Sequence, residues 1–178
     1  MPTIPVRFAT APFKPRRPPQ MRNLLDSIDR ILLRCLQADG SLTAQALSGK
    51  VNLTARATLM RIRRLEARGW IQGYSARIDR RAIGPHLMLF AEIALRDQRP
   101  VTQQKFEEQA RSAPEVLACY LLSGRYDFLV RFCCRDMTHY NDLTNRWLAD
   151  VSLGIEKVST LTELATIKEF SQVPIAEA

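Results

Sequence analysis

The chain has 178 residues, 46% of them hydrophobic and 25% charged, a composition that fits one or two compact modules and excludes disorder over the whole length. Lys and Arg number 26 against 18 Asp and Glu, and the surplus is unevenly placed. Residues 1–25, 26–81 and 82–178 carry +5, +6 and −3, so a polyanionic partner for the amino-terminal part alone is the simplest consequence.

Residues 1–20 hold six of the ten prolines, which predicts an extended, disordered basic arm over residues 1–22. Such an arm either binds phosphates without sequence preference or precedes an alternative start at Met21, which directly adjoins the first folded pattern. From Leu25 the apolar residues Ile28, Ile31, Leu32, Cys35 and Leu36 recur at helical spacing, with Asp26 and Asp29 near the positive end and Asp39-Gly40 as the stop. Thr43 is placed to cap a short second helix around Leu47, and Thr54 to cap a third that ends at Arg68-Gly69. Three helices in this order, followed by a strand-like Tyr74–Ile78, predict a (winged) helix-turn-helix unit over residues 23–70 and a linker strand within 71–84.

The rest, residues 85–178, reads as strand Leu87–Leu95, helix Gln103–Ser112, strands Val116–Ser123 and Phe128–Arg135, a helix Thr138–Ala149 capped by Thr138, and strand Val158–Lys168. The order βαββαβ is the ferredoxin-like pattern, so the fold class expected for the chain is α+β. Its strands are apolar on both faces while two helices cover only one, which predicts a dimer built sheet to sheet.

In the third helix the stripe Leu59, Ile62, Leu65 is expected to face inward, leaving Arg56, Met60, Arg61, Arg63, Arg64 and Arg68 around the circumference with Glu66 as the one acid. An arginine fork suits phosphate oxygens and guanine edges, and a recognition helix enters the major groove of double-stranded DNA by its amino-terminal end. The expected DNA contacts are therefore Thr54, Arg56 and Thr58 near that end, with Arg56 and Thr58 at base edges. Arg61, Arg63, Arg64 and Arg68 are expected on phosphates or neighbouring acids.

The four cysteines, Cys35, Cys119, Cys133 and Cys134, lie in apolar runs without metal or disulfide spacing, so buried reduced thiols are expected. The longest charge-free apolar stretch, residues 82–91, is about half a membrane span. A soluble, cytoplasmic and nucleoid-associated protein follows as the expectation. His86 and His139 stand without metal-ligand or nucleophile–base spacing, and no glycine loop cradles phosphate. No cofactor, metal or enzymatic activity is expected.

Taken together, Leu25, Asp26, Asp29, Ile31-Leu32, Leu36-Gln37, Asp39-Gly40, Leu53-Thr54, Arg61, Arg63-Arg64-Leu65-Glu66, Gly69, Ile71, Gly73-Tyr74, Gly84, Glu115-Val116 and Gly124-x-Tyr126-Asp127 resemble the Lrp/AsnC, or feast/famine, transcription regulators from about Leu25 to Lys168. The resemblance implies a DNA-binding helix-turn-helix domain, a ferredoxin-like domain that dimerises and binds a small effector such as an amino acid, and homodimers assembling into larger even-numbered oligomers. It places the effector where dimers meet, at Ser123, Gly124, Tyr126 and Asp127, with Thr160 as a further lining residue. Gly124 can expose backbone N–H groups to a carboxylate and Asp127 can pair with an ammonium, although Gly and Asp also suit a plain hairpin turn. Ala55 departs from the family, which often has Pro there, and the arm has no counterpart. Two alternatives remain open at this point: an architectural DNA-binding protein without an effector, and a tetrapyrrole decarboxylase of similar fold, which the arginine-rich helix disfavours.

Overall fold

A computed structural model describes residues 25–79, 82–169 and 172–176, so the expected arm lies outside the described residues. The chain divides into two units, one reaching to Arg77 and including the residues from Glu169 onward, the other spanning Ile78–Lys168.

In the first unit α1 (Ser27–Ala38), α2 (Ala44–Val51) and α3 (Ala55–Ala67) begin where short oxygen-bearing side chains accept the orphan N–H groups of a helix start. Asp26 accepts from the Asp29 N–H, Thr43 from Ala46 and Thr54 from Ala57. Asn52, with φ 52°, closes α2 in the left-handed region. Leu32, Leu36, Leu47, Val51, Ile62 and Leu65 meet in a buried core. The expected strand at Tyr74–Ile78 is not formed. That stretch pairs with no strand among the described residues, and Tyr74 instead lies against Gly40 and donates its hydroxyl to Glu66.

The carboxyl-terminal residues also depart from expectation, because 172–176 lie on this unit rather than on the second. The Gln37 side-chain amide donates to the Val173 carbonyl at 2.9 Å and accepts the Val173 N–H at 3.1 Å, while Arg30 donates to the Ala176 carbonyl. These bonds join residues about 140 positions apart in sequence, which no local pattern foreshadows.

The second unit runs β1 (Leu87–Leu95), α4 (Pro100–Ser112), β2 (Val116–Leu121), β3 (Phe128–Cys134), α5 (Met137–Ala149), β4 (Ile155–Thr162). The four strands form one antiparallel sheet in the order β2-β3-β1-β4, the split βαβ arrangement that the sequence predicts. Asp136, not Thr138, caps α5 by accepting the His139 N–H. The last strand begins and ends earlier than expected because Gly154, at φ 62°, turns the chain after a short 3-10 helix. A side chain at Gly154 would collide with the Thr102 methyl.

One sheet face packs under α4 and α5. Leu89, Ala91, Ile93, Phe128, Val130 and Phe132 are fully buried there with Phe106, Tyr140 and Trp147, and the Phe106 and Phe128 rings stand 4.5 Å apart. The other face carries Phe90, Ala94, Ala118, Tyr120, Leu129, Cys133 and Leu161, of which Tyr120 and Leu161 are exposed and the rest half-buried. The same face also carries Glu92, Lys157 and Ser159, and the Arg131–Glu163 ion pair at 2.8 Å crosses it, with Arg131 over the Phe90 ring. Cys134 is buried and the other three thiols half-buried, all four unbridged. Burial pushes the Cys119 and Cys134 thiols up to about 11.

Candidate nucleic-acid interface and effector turn

The burial of α3 is out of phase with the sequence expectation. Thr58, Ile62 and Leu65 form the inner stripe, whereas Leu59 is exposed. Residues at i, i+4 and i+7 share a face more closely than those at i, i+3 and i+6, and the small Thr58 fits where α3 meets α2. Thr58 is therefore corrected as a base-edge candidate. It is fully buried, and its hydroxyl donates to the Thr54 carbonyl one turn back. Thr54 is exposed, with its hydroxyl oxygen engaged as the helix cap.

The arginines divide into two groups. Arg61 donates to Asp26 and, at 2.9 Å, to Asp29, and Arg64 donates to both oxygens of Asp29 at 3.0 and 2.7 Å. Asp29 is buried, so its charge is compensated by two forks reaching across from α3 to α1. Burial raises the Asp26 carboxyl, but the Arg61 hydrogen bond and the Asp29 N–H outweigh it, and the net shift is downward. Arg61 and Arg64 thus hold the helix in place. Arg56 and Arg63 are exposed and form no ion pair or hydrogen bond with any described residue. They lie on the ridge opposite the buried stripe, with Met60 between them.

This clamp was readable in principle: Asp26 and Asp29 are three apart on one helix, and Arg61 and Arg64 three apart on another. Only the fold shows that the two pairs face each other. The exposure of Leu59 was missed for the same reason, since it depends on which side of α3 rests on the core, whereas Met60 is on the outer circumference as expected.

The proposed effector residues Ser123, Gly124, Tyr126 and Asp127 lie together in the β2–β3 turn. Ser123 and Gly124 are exposed and Tyr126 half-buried, with Arg125 over the Tyr126 ring. Gly124 has φ 152°, a conformation that disfavours any side chain, while the space around it is open. Asp127 is largely committed. One carboxylate oxygen accepts the Leu95 N–H at 2.7 Å and the other the Gln98 amide at 3.3 Å, and its backbone N–H donates to the Ile93 carbonyl. These bonds pin the turn to the end of β1 and leave each oxygen one further lone pair.

Thr160 does not join this group within one chain. It sits on β4, at the sheet edge opposite β2, and its hydroxyl bonds the Tyr140 hydroxyl at 2.8 Å. Any part that Thr160 plays in lining a site at this turn would have to come from a neighbouring subunit. Among the described residues no cluster of His, Cys, Asp or Glu is arranged to hold a metal ion, and no helix is long and apolar enough to cross a membrane.

Comparison with known proteins agrees with this two-part layout. Residues 25–72 match a family described as winged helix-turn-helix DNA-binding, and residues 88–173 match the Lrp/AsnC ligand binding domain. The Bkd operon transcriptional regulator of Pseudomonas aeruginosa is 32% identical over 85% of this chain and 98% of its own. The leucine-responsive regulatory protein of Escherichia coli K12 is 32% identical over 85% of this chain and 92% of its own. Among solved structures, a transcriptional regulator of Neisseria meningitidis in complex with L-methionine superposes with a TM-score of 0.77 at 28% identity, covering 85% of this chain and 97% of that one. The feast or famine regulatory protein of M. tuberculosis complexed with L-methionine gives 0.74 at 32% identity, covering 86% and 100%. With a helix-turn-helix at one end, a ligand-binding domain at the other and relatives aligned across both, the chain belongs to the Lrp/AsnC family of DNA-binding transcription regulators.

Proposed function

We propose that this regulator docks α3 in the major groove of double-stranded DNA, with Arg56 and Arg63 as its groove-facing cations, Thr54 at the entering end, and Arg61 and Arg64 fixing the angle of entry through Asp29. The observation that carries this reading is the division of the arginines: four guanidinium groups on one helix, two bound to carboxylates and two, on the outward ridge, without an acidic partner among the described residues. A helix needing only solubility gains nothing from that arrangement, whereas a groove-reading helix needs both a fixed pose and free forks.

The open sheet face supplies the second half of the reading. Its apolar side chains stay in water unless a second copy covers them, so we place the homodimer contact there and the higher even-numbered assembly between such dimers. Two recognition helices then address half-sites about 34 Å apart or a multiple of that spacing. A small amino acid is the effector, held at the turn of Ser123, Gly124, Tyr126 and Asp127 where dimers meet. The methionine complexes of two relatives support that chemical class, and the remaining lone pairs on Asp127 suit an ammonium group. Binding there shifts the balance among oligomers and so the occupancy of DNA, in a protein of the cytoplasm without enzymatic activity.

Methylation interference tests the docking: N7-methylated guanines within the bound site should block complex formation, whereas a site indifferent to N7 methylation places α3 outside the major groove. A thermal-shift panel of amino acids tests the effector, since a ligand at one hundred times its dissociation constant stabilises the folded state by about 2.7 kcal/mol. A flat panel favours the architectural alternative.

A further inference from the structure

Met60 is 59% exposed and Leu59 38% exposed, and neither packs against the three-helix core. Met60 does not sit at the margin of the charged surface but in its middle. Arg56, Met60, Arg63 and Ala67 follow at i, i+4, i+7 and i+11, so they form one continuous ridge directly opposite Thr58, Ile62 and Leu65. A large apolar side chain between two unpaired guanidinium groups is a poor choice for a surface that meets only water. It is also a poor choice for one that meets only phosphate.

The floor of the major groove offers hydrogen-bond donors and acceptors on every base pair, and one apolar group, the 5-methyl of thymine. An unbranched thioether between two arginine forks is shaped to cover that methyl while the forks take guanine edges or phosphates on either side. We propose that Met60, with Leu59 widening the apolar strip, is a specificity-determining residue that reads thymine methyl groups in the DNA site. This rests on the groove-docking reading of α3 and deepens it, adding a hydrophobic element to a surface that the charge map describes only as cationic.

The test uses the full-length protein and the duplex that it selects from random-sequence DNA, prepared once with thymine and once with uracil at every thymine position. Removing a methyl group from a buried contact weakens binding by about fourfold. The wild-type protein should therefore bind the uracil duplex about four- to tenfold more weakly, and Met60→Ala and Met60→Gln should bind both duplexes alike. Arg56→Ala should bind more weakly than wild type and keep the methyl preference. Equal affinity of the wild type for the two duplexes, or an unchanged methyl preference in Met60→Ala, overturns the proposal. If Arg56→Ala still weakens binding in that case, the groove-docking reading survives without it. If Arg56→Ala and Arg63→Ala also leave binding untouched, both fail together. Met60 is exposed and outside the core, so its replacement leaves folding intact and the comparison interpretable.

Discussion

The outward ridge of α3 and the β2–β3 turn were both legible as candidate sites, yet they differ in what their polar groups already do. On the ridge, Arg56 and Arg63 carry full charge and bond nothing described. In the turn, both oxygens of Asp127 are taken up by the Leu95 N–H and the Gln98 amide. A group without a partner among the described residues is free to take one outside them, and a group already bonded shapes the backbone first. In the proposed function the ridge would act as a binding surface within one copy, whereas the turn would draw further ligand contacts from a neighbouring subunit.

The contrast within α3 itself can be broken most forcefully at Asp29. Asp29→Ala strands Arg64, leaves Arg61 with Asp26 alone and removes the buried part of the staple between α1 and α3. Because both arginines reach solvent, the expected loss is about 2 kcal/mol rather than the 3–5 typical of a fully buried pair, read as a lower urea midpoint. The free arginines should behave oppositely. Arg56→Ala should leave the urea midpoint unchanged and cost about 1–3 kcal/mol of DNA affinity with relaxed base preference. Arg64→Ala, by contrast, should lower stability as well as affinity. For the turn, Asp127→Ala deprives the Leu95 N–H of its acceptor, which should cost about 1 kcal/mol of stability and abolish the response to an amino-acid effector while sparing DNA binding. A ligand response that persists in this variant moves the effector elsewhere.

The smallest effect concerns the segment that follows α3. Burial, then the hydrogen bond to Glu66, pushes the Tyr74 hydroxyl up to about 12 from an ordinary 10.0. A raised phenol favours the neutral form in the folded state, so this contribution is fully present below pH 10 and is lost as pH climbs toward 12. Ultraviolet titration should show Tyr74 and the buried Tyr140 among the four tyrosines ionising late, and Glu66→Gln should move one of these two late steps to lower pH.

What the sequence disclosed and what it withheld follow from range. Helix starts at Asp26, Thr43 and Thr54 were readable because a cap acts over three residues. The order of strands and helices was readable because hydrophobic period is local. The inner face of α3 was misjudged by one position, Leu59 for Thr58, because small differences in lean against α2 decide between neighbouring stripes. Tyr74–Ile78 has strand composition but no partner strand, and pairing is a property of two segments rather than one. Thr160 bonds Tyr140 across the sheet and helix layer, and residues 172–176 return to α1. Neither relation has a local signature.

The central claim is that the unpaired guanidinium groups of α3 grip a duplex. It is tested most directly by the affinity of the wild type and of an Arg56→Ala/Arg63→Ala double variant for one duplex across a salt series. The account predicts that binding weakens by at least about tenfold in the double variant, with a salt slope shallower by roughly one for each arginine that met a phosphate. Equal affinities and parallel slopes would contradict it.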